Sequence, residues 1–165
     1  MKYRVVGKQE NSADCIVCGL KNELGLKAAF YELENGEVMA IFRPREEHQS
    51  YPGRLHGGMA AAILDETIGR AMMTGNRKAW GVTVEMSLRF MKPTPLNGEL
   101  RAFGRVTRDT SRIFEGSAEI LLPNGEVAVS ATGKFMKMAI DKITDFTGLD
   151  WKVTPGKSDP TEVEI

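Results

Sequence analysis

Asp65 is the residue whose surroundings most demand a chemical explanation. It sits in a run of good helix formers that starts at Gly57 and continues through Ile68, Ala71, Met72 and Met73 to a stop at Gly75, about 24 Å of helix for ~16 residues. At helical spacing its neighbours are Ala61, Ala62, Ile68, Gly69 and Met72, none with a side chain able to hydrogen-bond it. A carboxylate on that surface is desolvated, paired from elsewhere in the fold, or used as a base or nucleophile. The bland reading is a helix rotated so that Asp65 reaches solvent or a distant arginine. The adjacent Glu66 has Arg70 one turn further on, the favourable order for an ion pair, and reads as a solvated charge on an exposed face.

His56, Gly57 and Gly58 open the same helix. The first amides of a helix have no partner inside it and lie at the positive end of its dipole, so they can hold an oxyanion, and glycine lets a ligand approach the backbone. A plain tight turn would use the same pair. Cys15 and Cys18 form a Cys-x-x-Cys-Gly turn. Two thiols are half the ligands of a structural zinc site and no second pair accompanies them, so reduced, half-buried structural thiols are the expectation, with a metal shared between subunits as the other reading. No metal is expected within the chain.

The elements that position these residues follow from length and pattern. The 165 residues, 42% apolar and 27% charged, suit one domain with a full core. Lys plus Arg total 22 against 22 Asp plus Glu, so bulk charge gives nucleic-acid or membrane-surface binding no support. No apolar run has the ~20 residues of a membrane helix and the opening residues lack a signal peptide's apolar core, so a cytoplasmic protein is expected.

Residues 1–23 read as a loop or short helical arm ending at the cysteine turn. Leu24 to Leu33 and Val38 to Phe42 are expected strands about an Asn35-Gly36 hairpin turn, followed by a polar loop holding His48, Gln49 and Ser50. After the helix, Trp80 to Met91 has the clearest alternation in the chain. Val82, Val84, Met86, Leu88 and Phe90 take one face, with Thr83, Glu85, Ser87 and Arg89 on the other, in a half-buried strand. Three more strands follow, near 100–107, 112–122 and 127–138, the last two joined at Pro123-Asn124-Gly125. The fold class is α+β: an antiparallel sheet of about six strands curled round one long central helix that is apolar nearly all round. The domain spans 24–140, and 141–165 is a polar tail expected to be mobile.

With these residues in place, the chain resembles the hotdog-fold acyl-CoA thioesterases of the phenylacetate-pathway PaaI type. The resemblance rests on His56-Gly57-Gly58 with Asp65 in the same helix, on Gly81-Val82-Thr83-Val84-Glu85-Met86 with Phe90-Met91-Lys92-Pro93 in the next strand, and on the Cys15 to Cys18 opening with Asn22 and Gly25-Leu26. It spans roughly residues 15–138. The resemblance implies that Asp65 is the base or nucleophile, that the Gly57 amide polarises the thioester carbonyl, and that Thr83 orients water or the acid of the neighbouring subunit. His56 joins the candidate catalytic residues, as a structural or carbonyl-side hydrogen bonder more than a base. Gln49, Ser50, Gly58 and Glu66 are the candidate substrate-binding residues.

The implied substrate is acyl-CoA, with no cofactor beyond the CoA it carries, in a homo-oligomer, a dimer or dimer of dimers, whose sites lie at the seam. Competing functions on this fold are an acyl-CoA hydratase or dehydratase, with His56 and Asp65 sharing proton transfer, and a non-catalytic acyl-CoA-binding module.

Overall fold

Alternating apolar residues closed by a turn residue fold as antiparallel hairpins, and this chain does so repeatedly. The computed structural model describes residues 1–75, 79–145 and 151–165. In chain order the strands are β1 (Lys2–Lys8), β2 (Ala29–Leu33) and β3 (Val38–Phe42), then β4 (Trp80–Phe90), β5 (Leu100–Asp109), β6 (Ile113–Leu121), β7 (Val127–Met138) and β8 (Glu162–Glu164). Helix α1 (Gly57–Ala71) lies between β3 and β4, and a single turn, α2 (Ile140–Ile143), follows β7. The sheet order is β4-β7-β6-β5-β3-β2-β1-β8, antiparallel throughout. Both anticipated glycine turns are present, with Gly36 and Gly125 at φ +83°.

The sheet has eight strands where about six were expected, and both additions come from segments read as irregular. The opening residues, expected as a loop or helical arm, form β1, whose Tyr3 and Val5 pack against a small cluster of Tyr31, Leu33, Met39, Phe103 and Val163 on the sheet face away from the helix. The tail expected to be mobile returns as β8, pairing Tyr3 with Val163. Asp159 anchors it through Lys8 Nζ at 2.7 Å and the Tyr31 hydroxyl at 2.7 Å. Strands of three to seven residues with charged outer faces bury too little apolar surface to signal themselves by period. β2 starts at Ala29, not Leu24, because Leu24 to Ala28 are held instead by the cysteine turn, with Leu26 N–H bonded to Ile16 O and Ala28 N–H to Val17 O. Part of the tail, 146–150, lies outside the described residues.

α1 packs on β3 to β7 through Ala60, Ile63, Leu64, Thr67, Ile68 and Ala71, all buried. It ends at Ala71, short of Met73, with turns leading to Gly75 at φ +75°. Its opposite face is not apolar packing: Gly58 is exposed and Ala61, Ala62, Asp65 and Gly69 are only partly covered. The helix sits close to the sheet because the strands beneath carry glycine. A Cβ on Gly104 would come within 2.8 Å of the Thr67 backbone carbonyl oxygen and one on Gly116 within 2.5 Å of the Ile68 side chain. Of the strand charges, Arg105 pairs with Glu37 and Glu119, and Lys137 with Asp109.

Gly116→Ala is expected to lift α1 off the sheet and destabilise the protein by about 1–3 kcal/mol. Urea denaturation measures it; an unchanged midpoint would mean that the helix shifts without cost.

Candidate active site

An irregularity in β4 shapes the site. This strand is the sheet edge beyond β7, and its pairing slips between Thr83 and Glu85: Thr83 sits opposite Phe135 and Glu85 opposite Lys134, leaving Val84 as the extra residue of a β-bulge. A one-residue slip turns every later side chain to the other face. Gly81 and Thr83 therefore share the helix-facing side with Met86 and Leu88, whereas the unbroken alternation had placed Thr83 on the opposite face. The bulge reverses that placement. The bulge brings Thr83 over α1, where its hydroxyl donates to Asp65 Oδ1 at 2.6 Å. Asp65, without a partner on its own helix, is paired from the next strand. The open edge also leaves β4 far more exposed than half-buried, with Val82 at 37%, Val84 at 58% and Phe90 at 58%.

Asp65 and Thr83 border a cavity of about 220 Å³ whose other walls include Glu66, Cys15, Cys18 and Phe135, with Trp80 and Trp151 meeting edge to face at 4.5 Å. Glu66 does pair with Arg70, Oε1 to Nε at 2.8 Å, but the pair is not on an exposed face: the side chains keep 19% and 5% of their accessible surface. The cysteine turn and the residues just after β1, Gln9 and Glu10, cover it. Arg70 also donates to the Glu10 carbonyl at 2.9 Å and lies 4.2 Å from the centre of the Phe30 ring. Burial pushes the Glu66 carboxyl up to about 7 against the opposing pull of Arg70. Cys15 is held high as the hydrogen-bond donor of the thiol pair, and Cys18 is pulled down to about 4 by that bond and by the charge of Arg70.

The residues at the start of α1 lie elsewhere. His56 is its N-cap, and its Nδ1 accepts the Gly58 N–H at 2.8 Å. Gly58, expected to offer its amide to a ligand, is thereby engaged. The Gly57 N–H has no acceptor among the described residues and borders an open groove of about 630 Å³ with Ser50 and Phe90. Gln49 turns back on its own loop, its Oε1 accepting from Gly53 N–H at 3.2 Å. From Gly57 to Asp65 the helix climbs about 12 Å at ~1.5 Å per residue. One chain therefore does not bring the acid and the glycine amide to a common reacting atom.

Sequence reasoning missed the cysteine turn, Arg70 and both tryptophans as parts of the Asp65 cavity. The Glu66–Arg70 spacing was a readable signal; the contact with Cys15 and Cys18 was not, because it joins residues some fifty positions apart.

A long helix lying on an antiparallel sheet, inserted between its third and fourth strands, defines a hotdog-type fold. The family model for the thioesterase superfamily matches residues 52–129, a little under half of the chain. Human acyl-coenzyme A thioesterase 13 is 27% identical over 101 residues, 61% of this chain and 67% of that protein. A crystal structure described as a thioesterase superfamily protein is 30% identical with a TM-score of 0.69, covering 76% of this chain, which itself spans only 60% of that one. The PaaI protein of the E. coli phenylacetic acid degradation operon has the same fold, with a TM-score of 0.62 at 15% identity over 69% of this chain and 81% of its own.

Because the folded value of Glu66 lies above its ordinary 4.5, the cost of burying the charged form is absent in acid and grows as pH rises through about 7. Arg70→Met is therefore expected to destabilise the fold by roughly 3–5 kcal/mol near pH ~8 and by clearly less near pH ~5. Urea denaturation at the two pH values reads this, and equal losses would contradict it.

Proposed function

We propose that this chain hydrolyses acyl-CoA thioesters to free CoA and a carboxylic acid, with Asp65 as the base or nucleophile. The carrying observation is the Asp65–Thr83 hydrogen bond at 2.6 Å beside a largely apolar cavity. In that pairing Thr83 fixes the orientation of the carboxylate and leaves its second oxygen for water or for the carbonyl carbon. Holding the acid in one pose lowers the entropic part of the barrier, and the carboxylate supplies general-base or nucleophilic chemistry. The name of the human relative, an acyl-coenzyme A thioesterase, supports this substrate class. The reaction needs no cofactor beyond the CoA carried by the substrate.

The oxyanion donor comes from a second copy. The separation of Gly57 from Asp65 along α1, with the unpaired edge and exposed valines of β4, supports a homodimer, alone or doubled into a tetramer, in which the Gly57 amide of one subunit faces Asp65 of the other. His56 then acts as a positioning residue: by taking the Gly58 amide it fixes the glycine turn that presents Gly57. The same bond weighs against a hydratase, because it commits His56 Nδ1 to capping the helix. Ser50, in the groove with Gly57, is the remaining candidate for substrate contact from the preceding loop.

Asp65→Asn is expected to lower acyl-CoA hydrolysis by at least about 100-fold, and Thr83→Val by roughly tenfold, with far-UV circular dichroism unchanged. Thiol release from short, long and aromatic acyl-CoAs is the assay. Undiminished turnover in Asp65→Asn would remove the acid from the mechanism. Acyl-CoA binding without thiol release would favour a binding module, and loss of enoyl absorbance without thiol release a hydratase.

A further inference from the structure

The Cys15–Cys18 turn and Glu66 form an arrangement that hydrolysis does not use. The three ligand atoms, two sulfurs and a carboxylate oxygen, lie within 4.8 Å of one another, with Cys15 Sγ 3.2 Å from Glu66 Oε2. A tetrahedral zinc ion, with bonds of about 2.0–2.3 Å, draws such atoms to roughly 3.5–4 Å apart, a rotamer adjustment from this geometry.

The turn is built to hold sulfur. Cys15 Sγ accepts the backbone N–H groups of Val17 at 3.3 Å and Cys18 at 3.5 Å, and the Ser12 hydroxyl lies 3.5 Å from Cys18 Sγ while accepting the Cys15 N–H at 3.2 Å. Amides aimed at a sulfur stabilise it as a thiolate ligand and set its direction, the outer-sphere support that metal-binding cysteines require. The winding leaves no room for another residue at Gly19, where a Cβ would sit 2.3 Å from the Cys15 carbonyl oxygen.

Charge points the same way. With both sulfurs ionised, as metal ligands are, two thiolates and a carboxylate against the single guanidinium of Arg70 carry two negative charges in a largely buried cluster, which one divalent cation cancels. Glu66 offers Oε2 for that purpose because Arg70 already holds Oε1.

We propose that Cys15, Cys18 and Glu66 form a three-ligand site for a thiophilic divalent cation, zinc foremost, whose fourth position opens into the cavity shared with Asp65 and Thr83. The three ligands all line that cavity, so the uncovered side of the ion faces it. Such an ion clamps the N-terminal turn onto α1 at the residue next to Asp65. Soft sulfur ligands select zinc over magnesium or calcium.

The test uses the full chain, kept reduced, stripped with a chelator and titrated with Co²⁺ without air. One equivalent is expected to give a sulfur-to-cobalt charge-transfer band with the strong visible absorption of four-coordinate cobalt, displaced by Zn²⁺ and unaffected by Mg²⁺. Cys15→Ser and Cys18→Ser are expected to weaken binding by at least roughly 100-fold, and Glu66→Gln by roughly tenfold or more, with circular dichroism reporting that each variant is folded. The site is overturned if the folded wild-type chain gives no such band at one equivalent, or if a Cys15–Cys18 disulfide forms under reductant in its place. It is equally overturned if Glu66→Gln binds as tightly as wild type with the same spectrum. The readout is independent of thioester hydrolysis, so this site and the hydrolase reading can fail separately.

Discussion

One extra residue in an edge strand governs the site. Val84 has no partner on β7, and that slip turns Thr83 toward α1. Without it, the alternation that makes β4 a strand would point Thr83 away from the helix, and Asp65 would face an apolar surface with no hydrogen-bond donor. Bulges concentrate at sheet edges because the ladder there has one free side and tolerates an unpaired residue. The position of β4 at the edge is thus what permits the irregularity, and the irregularity is what supplies the acid with its hydroxyl.

The helix that carries Asp65 is held by an unusually close seat. Gly104 and Gly116 remove the side chains that would keep α1 off the sheet, and Thr67 and Ile68 fill the space directly. The remaining face of α1 is left to small residues and to the Asp65–Glu66 pair, whose two carboxylates have separate surroundings. Asp65 meets a neutral hydroxyl at the cavity; Glu66 is locked to Arg70 beneath the N-terminal segment. Adjacent acids of one sequence type thereby acquire different electrostatic characters, since each is read by the element that covers it.

The proposed dimer accounts both for the separation of groups along α1 and for the exposed valines of β4. The acid and the unengaged Gly57 amide lie roughly two helical turns apart, so in the proposed dimer each subunit would lend half of each site. An open strand edge with exposed valines is a hazard for a protein that stays single and an asset for one that pairs with itself.

The helix, its glycine start, the two glycine hairpin turns and the long strands β5 to β7 were all legible from periodicity and turn chemistry. These are local signals: side chains a few positions apart decide them. Asp65 stood out for the same reason, as a charge among neighbours unable to bond it. What the pattern could not supply were decisions made between distant segments. β1 and β8 exist because each offers the other an edge; the bulge at Val84 depends on the register of β7; and the burial of Glu66 depends on where the cysteine turn comes to rest. Local spacing along the chain fixes the main helix, the long strands and the residues that carry reactive groups, because neighbours a few positions apart set all three. Tertiary structure alone decided which of those groups meet, because register and coverage are settled by residues that lie far apart along the chain.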